Sequence, residues 1–61
     1  MEYLIRVGNK YLSGFCSETG LPILTEVSSA RVYQEGIVDI ARVNLMLQFY
    51  DPEVEILPEL L

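Results

Sequence analysis

The order of apolar and polar residues predicts a β-hairpin at the start of the chain. Two strand-like segments, residues 3–7 and 10–13, flank Gly8 and Asn9. This pair suits a primed two-residue turn, because glycine accepts a positive φ without steric cost. The pairs across the hairpin are then Val7 with Lys10, Ile5 with Leu12 and Tyr3 with Gly14. One face, which we take as the core face, carries Tyr3, Ile5, Val7 and Leu12, and the other carries Leu4, Arg6, Tyr11 and Phe15.

Short elements are predicted between the hairpin and a long apolar segment. Residues 17–20 have turn composition, and residues 23–25 follow Pro22 as a short strand. Residues 28–29 indicate a second turn, which leads into a short extended piece at residues 31–33. These elements add β structure to the hairpin before the long segment begins.

The segment of residues 36–50 is apolar on nearly every side when it is placed on a helix. One flank, which we predict to cover the sheet, carries Ile37, Val38, Ala41, Leu45 and Phe49. The other flank carries Ile40, Val43, Met46 and Leu47. We predict that the helix begins at about Glu35, with Gln34 as its cap. The Asp51-Pro52 pair stops it, because Pro52 disfavours helical angles in the residue before it.

The last strand is predicted from strict alternation over residues 53–57. Its two apolar residues, Val54 and Ile56, are expected to face the core, and the glutamates between them are expected to face water. Pro58 ends this strand and leaves residues 60–61 in a tail.

Together these elements predict a single α+β domain over residues 1–61. Its sheet is small and mainly antiparallel, with three or four strands in ββ(β)αβ order, and one helix packs across it. Residues 43–50 also alternate at period two, so a small all-β barrel is the alternative. The helix is favoured because this segment is rich in good helix formers and because the Asp-Pro pair at 51–52 makes a poor tight hairpin turn.

A chain of 61 residues is short for a helix that is apolar on two flanks. A domain of this size buries only about 60% of the surface of its unfolded chain, and it often needs disulfides, a metal or oligomerisation. Cys16 is the only cysteine and the chain has no histidine, so a disulfide within the chain and an ordinary zinc site are excluded. We therefore expect a homo-oligomer, first a homodimer built by helix pairing about a two-fold axis. Its predicted interface residues are Ile40, Val43, Met46, Leu47, Tyr11 and Tyr50.

The net charge of −5, with only four basic residues, argues against direct nucleic-acid binding, since an acidic surface repels phosphates. No apolar run approaches the roughly 20 residues of a membrane span, so no membrane association is expected. The first residues do not have the pattern of a secretory signal, and a lone thiol suits a reducing compartment. The sequence thus predicts a cytoplasmic protein with a protein target.

No catalytic, cofactor-binding or metal-binding residues are predicted, and we do not expect an enzyme. Histidine, the commonest general base, is missing, and Cys16 lacks the cationic neighbours that stabilise a thiolate. Asp51, Glu53 and Glu55 have the spacing of the first ligands of a calcium loop, but the glycine and distal glutamate of that loop do not follow. These acids are interpreted as the solvated side of the last strand.

Three blocks of sequence resemble a known group of proteins: residues 3–15, residues 30–33 at the entry to the helix, and residues 53–58. With these three blocks in this order, the chain is similar to small accessory proteins encoded by phages and prophages of Gram-positive bacteria. The resemblance implies a small non-enzymatic protein that inhibits a host protein, such as a defence protein, in the host cytosol. It carries over no catalytic or binding residues, and the helix here is more apolar than expected for the group.

Composition and spacing by themselves predict a small acidic protein-binding module, and the anti-defence inhibitor comes from the resemblance. One alternative is an obligate structural or assembly subunit of a larger complex, into which the second helix flank docks permanently. Another is an acidic mimic of nucleic acid that blocks a nucleic-acid enzyme, with its carboxylates densest over residues 51–59. A small signalling nucleotide bound between subunits is disfavoured by the shortage of Arg and Lys.

Overall fold

A computed structural model describes residues 1–57 of the chain. The strands are β1 (Glu2–Val7), β2 (Lys10–Phe15), β3 (Pro22–Thr25), β4 (Tyr33–Gln34) and β5 (Pro52–Leu57), and the helix is α1 (Ile37–Leu47). A single 3₁₀ turn, Val27–Ser29, lies between β3 and β4. The predictions for Pro58 and for residues 60–61 lie outside the described residues.

The predicted α+β class is confirmed. Five antiparallel strands form one open sheet, whereas three or four were predicted. Helix α1 packs on one face of this sheet. The alternative of a small all-β barrel is wrong, because the segment after β4 is helical and the sheet does not close.

Strand β1 lies at the centre of the sheet. Along one edge it pairs with β5 over its whole length, from Glu2 opposite Leu57 to Val7 opposite Pro52. On its other edge β1 pairs with β2 near the hairpin turn and with the two-residue strand β4 near its start. Strand β3 pairs with the far side of β2. The central position of β1 explains its apolar character, because it has neighbours on both edges and the helix above one face.

The hairpin turn is confirmed, with Val7 opposite Lys10. Gly8 has a φ of 63°, and no positive φ occurs at Asn9, which is the pattern of a type II′ turn. The predicted pair of Tyr3 with Gly14 is wrong, because Tyr3 pairs with a residue of β4 instead.

The second half of β2 departs from β1 and follows β3. Leu12 pairs with Leu24 rather than with Ile5, and the register shifts between Leu12 and Gly14. An extra residue in one strand reverses the alternation of its side chains beyond that point. Phe15 therefore packs against the core, and the prediction that it shares the outer face with Tyr11 is wrong.

The helix begins later than predicted. Gly36 is its cap, with a φ of 85° that is not helical, and its carbonyl accepts a hydrogen bond of 3.3 Å from the amide of Ile40. Gln34, the predicted cap, instead belongs to β4, where it pairs with Glu2. The glycine allows the chain to leave the strand and enter the helix within a few residues, because a positive φ costs it little.

The helix also ends earlier than predicted, in a left-handed turn. The amide of Phe49 donates to the carbonyl of Met46, and the amide of Tyr50 donates to that of Leu45, both at 3.0 Å. These two bonds form a Schellman motif, whose left-handed position is occupied by Phe49 with a φ of 67°. The prediction that the helix continues to Asp51 is wrong because this motif closes it first.

The core lies between α1 and the sheet. Its buried members are Ile5, Leu12, Tyr33, Val38, Ala41 and Leu45, and partly buried Tyr3, Val7, Phe15 and Leu24 pack around them. The predicted sheet-facing flank of the helix is confirmed for its three central residues. It is wrong for its two ends, because Ile37 is half exposed and Phe49 has almost no contact with the rest of the chain.

Strand β5 is less buried than predicted. Val54 pairs with Ile5 and Ile56 pairs with Tyr3, so both lie on the face of the sheet that carries the helix. Both are nevertheless exposed, Ile56 to 62%. A single short helix covers the middle of this face and leaves the outer strand open.

Candidate protein-interaction surface

The four interface residues predicted on α1 all point away from the sheet. Ile40, Val43 and Leu47 form a row with the spacing of one side of a helix, and Met46 lies beside them. All four are exposed, Ile40 to 68% and Leu47 to 75%. We call these four residues the outer helix face.

A shallow, open depression runs along this face. It has a volume of about 440 Å³ and is lined by Asp39, Ile40, Val43, Asn44 and Leu47. Apart from the two polar residues at its margins, only aliphatic side chains line it. This composition suits contact with another apolar surface rather than recognition of a charged small molecule.

The charged residues of α1 compensate each other. Asp39 and Arg42 are its only charged residues, and their Oδ1 and Nη2 atoms are 3.7 Å apart. A second guanidinium nitrogen of Arg42 lies 3.9 Å from the sulfur of Met46. The outer helix face is thus close to neutral, although the whole chain carries a net charge of −5.

The two tyrosines predicted for the interface lie in different places. Tyr50 belongs to the turn that closes the helix and is 37% exposed. Tyr11 lies on the opposite face of the sheet, since it pairs with Arg6 and its neighbour Leu12 is in the core. The structure therefore places Tyr50 at the C-terminal end of the helix and keeps Tyr11 apart from the four helix residues.

Two residues that we predicted to cover the sheet extend this exposed apolar surface at the two ends of the helix. Ile37 is exposed in the first turn, and Phe49 follows the last turn with 97% of its surface exposed. The glycine before Ile37 was a signal in the sequence for a helix start at this point, and our prediction of a start at about Glu35 did not use it. Phe49 had no such signal, because the left-handed position of a helix terminus is normally marked by glycine.

A hydrogen-bonded charge cluster occupies the face of the sheet opposite the helix. Arg6 binds Glu55 through Nε at 2.8 Å and Glu53 through Nη2 at 2.5 Å, and Tyr11 donates its hydroxyl to Glu55 at 3.0 Å. The bond to Glu55 raises the pKa of both Arg6 and Tyr11. This cluster joins β5 to the hairpin across β1, so the two glutamates predicted to be solvated have structural partners.

These carboxylates do not form a cation site. Glu53 and Glu55 of β5 both bind the guanidinium of Arg6. Within residues 1–57, no group of three His, Cys, Asp or Glu side chains is arranged to hold a metal ion. Glu53 and Glu55 are alternate residues of β5, and Asp51 precedes this strand.

Cys16 lies in the turn between β2 and β3 and is half buried. Its pKa is lowered, chiefly by hydrogen bonding from the hydroxyl of Thr19 and further by the amides of Thr19 and Glu18. Hydrogen-bond donors stabilise a thiolate in the same direction as a cation does.

Comparison of the chain with protein-family models, curated proteins and solved structures finds no match. No helix in the described part of the chain is long and apolar enough to cross a membrane. The outer helix face, with its apolar extension at Ile37 and Phe49, is the surface on which a proposal about function rests.

Proposed function

We propose that this chain is a non-enzymatic protein-binding module that uses its outer helix face and self-associates through it. The observation that supports the proposal is the exposure of Ile40, Val43, Met46 and Leu47 together on one side of α1. Contiguous apolar patches of this kind on small proteins mark interaction surfaces.

Burial of the outer helix face in an interface removes apolar surface from water, which is favourable. Full burial of one aliphatic side chain contributes about 1.5–3 kcal/mol, so burial of these four, each already partly covered, contributes on the order of 5 kcal/mol per copy before the cost of association. A domain of 61 residues has a small core and limited stability of its own. The gain of the two copies together is on the order of 10 kcal/mol, and it has to offset a cost of association of about 4–15 kcal/mol.

A second copy of this chain suits the face better than a strongly basic partner does. Asp39 is the one carboxylate on α1, and Arg42 already compensates it. A basic partner would find no unpaired acid on the helix, whereas two neutral faces can meet without charge repulsion. The acidic residues that give the chain its net charge lie outside α1.

The role as a phage-type inhibitor of a host protein is a further part of this proposal, and it rests on the sequence resemblance alone. The alternative of a nucleic-acid mimic has less support, because Arg6 neutralises part of the acidic segment by binding Glu53 and Glu55. Mimicry needs carboxylates that are free to imitate phosphates.

The oligomeric state tests the proposal. Light scattering after size exclusion, at two concentrations, should give at least twice the chain mass of 6.9 kDa. Leu47→Glu should raise the dissociation constant at least tenfold, because it places a charge in the apolar contact. Leu21→Glu is the matched control, since Leu21 is an exposed leucine outside the helix.

Three outcomes would contradict self-association through the outer helix face. A folded wild type that stays monomeric at high concentration would be one, and an unchanged mass of Leu47→Glu would be another. A wild type that aggregates or stays partly unfolded by circular dichroism would instead support an obligate subunit of a larger complex.

A further inference from the structure

Phe49 combines two unfavourable features. Its backbone has a φ of 67°, a left-handed conformation that glycine adopts freely and that an aromatic residue adopts rarely. Its side chain is 97% exposed, so it gains almost nothing from the rest of its own chain. Strained backbone conformations cluster at functional positions, so the exposed ring of Phe49 points to a contact outside the fold.

The position of Phe49 along the helix has a consequence for a two-fold helix pair. In an antiparallel pair centred on Val43, Ile40 of one copy lies opposite Met46 of the other. Phe49 is then beside the first helical turn of the second copy, at Gly36 and Ile37. Because α1 is 11 residues long, about 16 Å, residues near its two ends meet in this arrangement.

The first turn of the helix has room for an aromatic ring. Open space surrounds the position where Gly36 would carry a Cβ atom, with no atom within 4 Å. Ile37 is 52% exposed directly after it. Gly36 also lines an open depression of about 390 Å³, so there is space for a ring beside Ile37. Charged as well as apolar side chains bound this space, namely Tyr3, Glu35, Val38, Asp39, Arg42 and Val54.

The surface area also supports a second copy as the occupant. Six side chains take part, namely those of Ile37, Ile40, Val43, Met46, Leu47 and Phe49, with exposures from 47% to 97%. With roughly 150–250 Å² for a fully accessible large side chain, they present on the order of 700 Å² per copy. A stable interface of standard size takes about 800 Å² from each partner. Phe49 supplies the largest single share of this area.

We propose that Phe49 is the anchor of this self-association: the left-handed helix terminus holds its ring outside the core, and the ring packs against Gly36 and Ile37 of a second copy in an antiparallel helix pair. This inference rests on the proposed function. It explains why an aromatic residue occupies a position where glycine would be less strained, because the ring is buried only in the dimer.

Replacing Phe49 by glycine separates the backbone strain from the contact of the ring. The replacement should stabilise the isolated chain and weaken its association. Phe49→Gly should raise the folding equilibrium constant of the isolated chain about fivefold, because glycine relieves the positive φ. The same substitution should raise the dissociation constant at least tenfold, because the ring is lost. Folding is measured by urea denaturation at concentrations where the chain is monomeric, and association by sedimentation equilibrium.

Phe49→Ala is the matched control, because it removes the ring and keeps the strain. It should weaken association as much as Phe49→Gly does, without stabilising the isolated chain. If both variants associate like the wild type, the role of Phe49 is overturned while self-association stands. A wild type that remains monomeric overturns both proposals.

Cross-linking tests the antiparallel arrangement. In a Cys16→Ser background, Ile37→Cys combined with Phe49→Cys should give a disulfide-linked dimer on mild oxidation. The two sites of one chain are too far apart along the helix to bridge within the monomer. Efficient cross-linking of Phe49→Cys alone would indicate a parallel pair and would contradict the proposed contact.

Discussion

Leu45 and Leu47 are two residues apart on the same helix and lie on opposite sides of it. Leu45 is fully buried in the core that contains Ile5 and Leu12, whereas Leu47 is 75% exposed. The helix therefore has two apolar sides of which its own chain covers one. This division separates the residues that stabilise the fold from those proposed to bind.

Alanine at these two leucines should have very different effects on the isolated chain. Leu45→Ala should lower the free energy of unfolding by about 2–5 kcal/mol, because it removes a side chain from the core and leaves a cavity. Leu47→Ala should change it by no more than about 0.5 kcal/mol. Urea denaturation of dilute, monomeric protein measures both. Similar losses for the two variants would mean that the helix faces are assigned incorrectly.

Tyr33 carries a buried hydroxyl that has no hydrogen-bond partner within the described part of the chain. Because an unsatisfied buried hydroxyl costs free energy, Tyr33→Phe should leave the stability unchanged or raise it by up to about 1 kcal/mol. The control is Tyr11→Phe, which removes a hydroxyl that donates to Glu55 and should therefore lower stability. Thermal and urea denaturation compare the two variants, and a clear loss for Tyr33→Phe would show that its hydroxyl does have a partner.

The stability should decrease at alkaline pH. Hydrogen bonds to Glu35 and Glu55 raise the pKa of Tyr3 and Tyr11 above 10.0, and burial raises the pKa of Tyr33. The un-ionised phenols are thus favoured in the folded state. The contribution of these tyrosines to the free energy of unfolding is fully present below their unfolded-state pKa of about 10. It is lost as the pH rises through their higher pKa values in the folded state.

Urea denaturation across this pH range measures the alkaline loss, and phenolate absorbance follows the tyrosines directly. Glu55→Gln should lower the pKa of Tyr11, because the neighbouring negative charge is removed. An unfolding free energy that stays constant from about pH 8 to pH 11 would disagree with the raised values.

The hairpin turn depends on the backbone of Gly8. Its φ of 63° is left-handed, and no atom lies within 4 Å of the position of a Cβ, so Gly8→Ala adds backbone strain without a clash. The expected loss of unfolding free energy is about 1 kcal/mol, measured by urea denaturation. Asn9→Ala should cost less, since Asn9 has no positive φ. An equal cost at both positions would argue against the type II′ assignment.

Local signals in the sequence were sufficient for the elements and for the fold class. The Gly8-Asn9 turn specified the hairpin, and the period of apolar residues placed Val38, Ala41 and Leu45 on the buried side of the helix. These features depend on residues close together in the chain. Turn geometry and helix period are decided by such neighbours, which is why a sequence pattern can predict them.

Only the tertiary structure decided the features that depend on residues far apart in the sequence. The pairing of Tyr3 with Tyr33 and the register shift that turns Phe15 toward the core depend on strands far apart in the sequence. The exposure of Ile56 and Phe49 depends on where the helix lies and where its terminus turns. Strand alternation and helical period determine which residues lie on the same face of an element. Whether that face is buried depends on which other elements of the chain pack against it.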